Sequence, residues 1–176
     1  MLTITRTDGY EISSDPDRLD LDRVHHWLST ESYWALGRPY EVTVRAVAGS
    51  MPFGVYRPGD GAQVAFGRIV TDGATFAWLC DVFVDSAHRG RGLGGWLAET
   101  ARDAVFELGV HRIMLVTVDA HDVYARIGFT PPATPHMLME LIRPRLTDGS
   151  PGSTADLVTP VTDKEELAGS PLTVRE

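Results

Sequence analysis

Residues 84–95 read Val-Asp-Ser-Ala-His-Arg-Gly-Arg-Gly-Leu-Gly-Gly. An apolar run at 75–85 (TFAWLCDVFVD) precedes them. After them Leu93, Trp96, Leu97, Ala101, Ala104, Val105 and Leu108 share one face at helical spacing, and Gly109 sits where a helix-ending glycine belongs. The stretch is therefore a strand, a glycine turn and a helix. The first amides of a helix lack partners and carry partial positive charge, so a phosphate can dock there. Glycines let the main chain approach without Cβ atoms in the way. Arg89 and Arg91 add cationic donors, and a turn used only for packing needs neither them nor four glycines among residues 90–95.

Upstream of the turn, runs at 51–56, 62–71 and 75–85 are separated by Pro58-Gly59-Asp60-Gly61 and Asp72-Gly73-Ala74, which predicts an antiparallel meander. Earlier still, LTITR at 2–6 alternates like a short strand. Leu21, Val24, Trp27 and Leu28 make the stripe of a helix that starts after Asp20. The segment after Pro39 is rich in β-branched residues, yet a proline suits a first helical turn, so a second helix is the reading. Downstream, 110–118 (VHRIMLVTV) predicts a buried strand, 120–127 a short helix and 136–142 (HMLMELI) a last strand. Antiparallel strands followed by one βαβ crossover define an α+β fold, a mixed, mainly antiparallel sheet flanked by helices.

The 176 residues suit one domain at ~100–200 residues each. We divide the chain into a main domain at 1–144 and an extension at 145–176. The extension has no aromatic residue and six acids against three bases, which predicts a flexible or peripherally docked segment, with a short helix at 164–169 as the alternative. A net charge of −8 argues against a nucleic-acid partner, which needs a basic footprint. Cys80 is alone, so neither an internal disulfide nor a cysteine zinc cage is expected. No run approaches a membrane span and no leader pattern is visible, so no membrane partner and a cytoplasmic address are the expectations. Adjacent His25 and His26 point ~100° apart on a helix, and no metal site is expected.

Two phosphate-binding patterns compete for the turn. Read as Gly90-x-Gly92-x-x-Gly95, with Asp119 beyond it, the turn matches a dinucleotide fingerprint and suggests an NAD(P)-dependent oxidoreductase. Against that, five residues (85–89) separate strand from first glycine, and no second βαβ half follows. Read as Arg89-x-x-Gly92-x-Gly94, it resembles the pyrophosphate loop of the GCN5-related N-acetyltransferase (GNAT) superfamily. Val84 to Gly94 resembles that family's strand-end motif, with Ser86 where proline is common. Tyr124-Ala-Arg-Ile-Gly-Phe129 resembles its Y-x-x-x-G-F. The similarity spans residues 50–143. Thr117 stands where many members have an asparagine that touches the cofactor.

The resemblance implies acetyl-CoA as cofactor and acetyl transfer to a small-molecule amine by direct attack. It implies that the main chain of Val82, Phe83 and Val84 pairs with the pantetheine arm. Arg89, Gly90, Arg91, Gly92, Leu93, Gly94 and Gly95 then hold the pyrophosphate. A strand amide near Val82 and Phe83 faces the developing oxyanion, and Tyr124 is the matched proton donor to the leaving thiolate. For the base, Asp81 among apolar neighbours is either a structural hydrogen-bonding group or a carboxylate of raised pKa; Asp119, His121 and a relayed water are its rivals. Trp27, Tyr33 and Trp34 lie where the family builds its acceptor pocket, although core packing explains them as well. A homodimer fits family habit. A non-catalytic acetyl-CoA sensor is the alternative outside enzymology.

Overall fold

The computed structural model of the chain describes residues 1–142. Six strands run in the order β1 (Thr3–Thr5), β2 (Glu11–Ser13), β3 (Met51–Tyr56), β4 (Gln63–Thr71), β5 (Ala77–Val84) and β6 (Ile113–Met114). The first five are antiparallel neighbours and β6 is parallel to β5. Four helices complete the fold: α1 (Leu21–His26), α2 (Tyr40–Ala48), α3 (Leu93–Glu107) and α4 (His121–Ala125). This is the α+β architecture expected, and the glycine turn joins β5 to α3 as read. The extension at 145–176, with its alternative helix, lies outside the described residues.

Strand alternation splits the core in two. On one face Val64, Ala65, Ile69 and Leu79 pack under Leu93, Leu97, Ala98, Ala101 and Val105 of α3. On the other, Phe66 and Phe83 pack under Val24, Trp27, Leu28 and Val47 from the α1–α2 region. Gly67 sits where α3 comes closest: a Cβ there would lie 2.6 Å from Leu97 Cδ2. The same glycine marks a β-bulge. Phe66 pairs with Phe83 and Arg68 with Cys80, so Gly67 faces both Asp81 and Val82. Asp81 absorbs the extra residue with φ +55°, the left-handed region that a non-glycine residue enters only at a cost.

α2 is a helix despite its β-branched residues, because Thr43 and Val47 at i, i+4 bury one face. One strand was not anticipated and two expectations need correction. β2 at 11–13 is absent from the sequence reading, since its three residues are too short for alternation to register. The strand expected over 110–118 pairs only at Ile113–Met114. Ile113 and Leu115 pack on the α3-side core while Val116 is 78% exposed, so the run is not covered on both faces. The strand expected at 136–142 pairs with no described strand. A turn of 3₁₀-helix occupies Pro135–Met137, and Met139 and Leu141 stand almost fully exposed.

Candidate active site

β5 and β6 touch over two residue pairs, Ala77–Ile113 and Trp78–Met114, and no further. From Leu79 to Val84 the edge of β5 that faces β6 has no partner among the described strands and is left open. The glycine turn stands at its end. Asp85 caps a 3₁₀ turn at Ser86–His88 by accepting from the Ala87 amide. Arg89 then donates from Nε to the Val84 carbonyl and lies over the Phe83 ring. Gly92 caps α3 at φ +72°, with no side-chain hydrogen bond at the cap. None of the amides of residues 90–95 donates to a described backbone acceptor, and added Cβ atoms at Gly90 or Gly92 would meet open space. A ready-made anion cradle results. Arg6 steadies it by donating to the Arg91 carbonyl at 3.2 Å, and Tyr10 Oη meets His88 Nδ1 at 2.8 Å.

Above the α1–α2 face of β5, the chain leaves α1 through a π-helical turn, Trp27–Glu31, closed by Ser32 Oγ donating to the Trp27 carbonyl. Residues 32–38 then cross the sheet as a loop. Its Trp34 Nε1 donates to Asp81 Oδ1 at 3.1 Å. Arg38 grips both carboxylate oxygens, Nη1 to Oδ2 at 2.7 Å and Nη2 to Oδ1 at 3.1 Å. Arg68 on β4 donates from Nε to Oδ2 at 2.7 Å. Burial pushes the Asp81 carboxyl up, but the hydrogen bonds and charges of Arg38 and Arg68 outweigh it and hold it below the usual carboxylate range. The raised pKa expected of a general base is therefore reversed in direction. Asp81 is an ionised clamp with all its acceptor positions taken.

Tyr124 is half-buried, packs on the α3-side core and meets Phe129 edge-on at 5.9 Å. Burial, with the neighbouring Tyr33 and Asp119, pushes its phenol up to about 12. Tyr33 links the loop to the far strand, because its Oη accepts from the Val118 amide at 3.3 Å, and it meets Trp34 edge-on at 4.9 Å. Cys80 lies opposite Arg68, and burial pushes its thiol up to about 11 despite that cation. A thiol so far from ionisation is a poor nucleophile. Asp119 and His121, the rival bases, are exposed.

The structure thus gathers Tyr33, Trp34 and Asp81 on one face of β5, and sets Val82–Val84, Arg89 and the glycines along its edge and end. Trp27 leaves the acceptor group: it is 3% exposed and stacks on Phe83 at 5.3 Å in the core. Sequence reasoning missed Arg38 and Arg68. The available signal was an arginine after glycine inside an apolar strand, facing a run that buries an aspartate. A cleft of about 520 Å³ between α3, β6 and Phe129–Thr130 contains none of these residues.

Comparison with known proteins fits this geometry. The model of the acetyltransferase (GNAT) family matches residues 21–129, from the start of α1 to Phe129. A Gibberella zeae protein named as an acetyltransferase is 31% identical over 140 residues, covering 69% of this chain and 78% of its own. A crystal structure from Xanthomonas campestris pv. campestris, ascribed to the GNAT family, is 42% identical with a TM-score of 0.73, covering 80% of this chain and 98% of that one. Rv2747 from Mycobacterium tuberculosis, solved in complex with CoA and NLQ, shares the fold at 20% identity and a TM-score of 0.58, over 68% of this chain and 70% of that one.

Proposed function

The chain belongs to the GNAT acetyltransferase family, an acyl-CoA-dependent N-acyltransferase, and from that premise we propose that it transfers acetyl from acetyl-CoA to the amine of a small molecule by direct attack. The observation that carries this reading is the pairing of six free amides at 90–95 with a strand edge that β6 leaves open after two residue pairs. When bound, acetyl-CoA supplies an acyl group activated as a thioester. The amides of Gly90, Arg91, Gly92, Leu93, Gly94 and Gly95, with the Arg89 and Arg91 side chains, bind the diphosphate. The strand edge at Val82, Phe83 and Val84, where Arg89 already holds the Val84 carbonyl, orients the pantetheine arm as an added strand would.

A strand amide near Val82 and Phe83 supports the oxygen on which charge develops. Burial keeps the Tyr124 phenol protonated throughout the neutral range, and its Oη is the donor in this reading to the departing sulphur. Cys80 takes no acyl group, which favours direct transfer over a covalent relay. Asp81 holds Arg38 and Arg68 in place and leaves deprotonation of the amine to another group.

Thermal shift with CoA, acetyl-CoA, NAD and NADP, followed by thiol release across a panel of amines, tests the reading. The expected result is stabilisation by the coenzyme A compounds and amine-dependent thiol release. Stabilisation by NAD without stabilisation by CoA would overturn it.

A further inference from the structure

Asp81 is bonded by two arginines and an indole, and the cluster keeps one positive charge in excess. The Asp81 side chain is 3% exposed, Arg38 14% and Arg68 13%. Arg38 spends both terminal nitrogens on the carboxylate. Arg68 spends only Nε, and no other described residue accepts from it. Its two terminal nitrogens therefore have no described acceptor, and they are not sealed from solvent, since the one fully buried side-chain polar atom without a partner among the described residues is Tyr56 Oη. A guanidinium held at Nε and open at both terminal nitrogens can take a planar pair of oxygens there without giving up the bond it already makes.

The location says what the partner belongs to. Arg68 pairs across the ladder with Cys80, one strand in from the open edge of β5 and on the face that Trp34 and Tyr33 overhang. Trp34 and Arg38 of the loop share Asp81 with Arg68, so an acceptor that docks beside this loop lies next to the open end of Arg68. Resting on the acyltransferase reading above, we infer that Arg68 is a specificity-determining residue that pairs end-on with a carboxylate of the acceptor, so that the acceptors are amines that also carry a carboxylate, amino acids among them. A planar pair of oxygens matches the two terminal nitrogens of a guanidinium. One excess positive charge balances a monoanion and leaves a phosphate dianion overcharged. The clamp explains why the strand spends a strained, buried aspartate here: Asp81 fixes the Arg68 rotamer before any ligand arrives.

The test compares acceptors that differ in one group, phenylalanine against phenethylamine and β-alanine against propylamine, with phosphoethanolamine as the phosphate arm. In the unaltered protein the carboxylate member of each pair is expected to have the higher kcat/KM. In R68M the ratio within each pair should fall about 10–100-fold, the worth of a charge-assisted hydrogen-bonded pair. In R68K, which keeps the charge but not the fork and guards against loss of folding, the ratio should fall part of the way. Equal use of both members, a ratio that R68M leaves in place, or preference for phosphoethanolamine would overturn the inference. Calorimetric binding of CoA and of phenylalanine is read separately. Loss of CoA binding with retained, Arg68-dependent amino-acid binding sinks the acyltransferase reading alone. Retained CoA binding with no carboxylate preference sinks this one alone.

Discussion

The two faces of the sheet are both covered by helices, yet they are built to different ends. Under α3 the contact is apolar throughout: Leu97, Ala98 and Ala101 meet Ala65, Ile69 and Leu79 with no ionisable group among them. Under the α1–α2 region the apolar patch of Phe66, Phe83, Trp27 and Leu28 gives way, within two residues along β4 and β5, to Arg68 and Asp81. One face carries stability at close packing density. The other exchanges part of that packing for charge, backbone strain at Asp81 and half-exposed aromatic rings. The proposed acceptor side sits where the sheet is least economical, and the bulge opposite Gly67 is the seam between the two regimes.

The largest effect expected is at Tyr124, which packs against the α3-side core. Tyr124→Phe should lower kcat about 10²–10⁴-fold while leaving CoA affinity in calorimetry close to that of the parent. Equal loss of CoA binding would mean that the ring packs rather than donates. Next comes Asp81→Asn, which leaves two buried cations with half a partner and should cost about 3–5 kcal/mol in denaturant unfolding at neutral pH. The difference has a definite pH course. The folded carboxyl titrates below its ordinary value of 3.8, so the stabilisation is complete above that value and disappears as pH falls through the lower folded one. A gap between parent and variant that persists through the acid limb would show that the substituted amide disturbs something other than charge pairing.

On the α3 face, Leu97→Ala should cost about 2–5 kcal/mol by removing a fully buried side chain that fills the space over Gly67. Acceptor preference among the folded molecules should be unaltered. A change in preference would break the division of labour between the faces.

Much of this was legible in the residues. The turn at 84–95 sits between two strongly patterned elements, and the meander is punctuated by unambiguous turn chemistry, so the central sheet and α3 follow from local rules. The site was legible where it relies on main chain, because free amides at a helix start require only the glycines and their position. It was less legible where long-range pairing decides. Asp81 stood out as a charge in an apolar strand, but its pKa direction depends on Arg38, 43 residues away, and Arg68, 13 away. Nothing local says which charges meet. Trp27 was ambiguous for the same reason: helical spacing places it on a face, and only its contact with Phe83 shows that the face is closed. The misread strands after α3 failed because an apolar run proves a strand only when a neighbour exists to pair with it.

The smallest effect expected separates stability from function within one helix. Gly94 lies in the first turn of α3, and a Cβ there would meet only Val84 Cγ2, at the ordinary contact distance of 3.4 Å. Gly94→Ala therefore costs no strain, and alanine should stabilise the helix by about 0.4–1 kcal/mol through the entropy of the unfolded chain. The same methyl stands beside the amides proposed to cradle a diphosphate, where close approach is what glycine permits. The variant is expected to melt slightly higher and to bind CoA more weakly. Should it bind CoA as tightly as the parent, the cradle is formed by the earlier amides at Gly90 and Gly92, and Gly94 serves α3 alone.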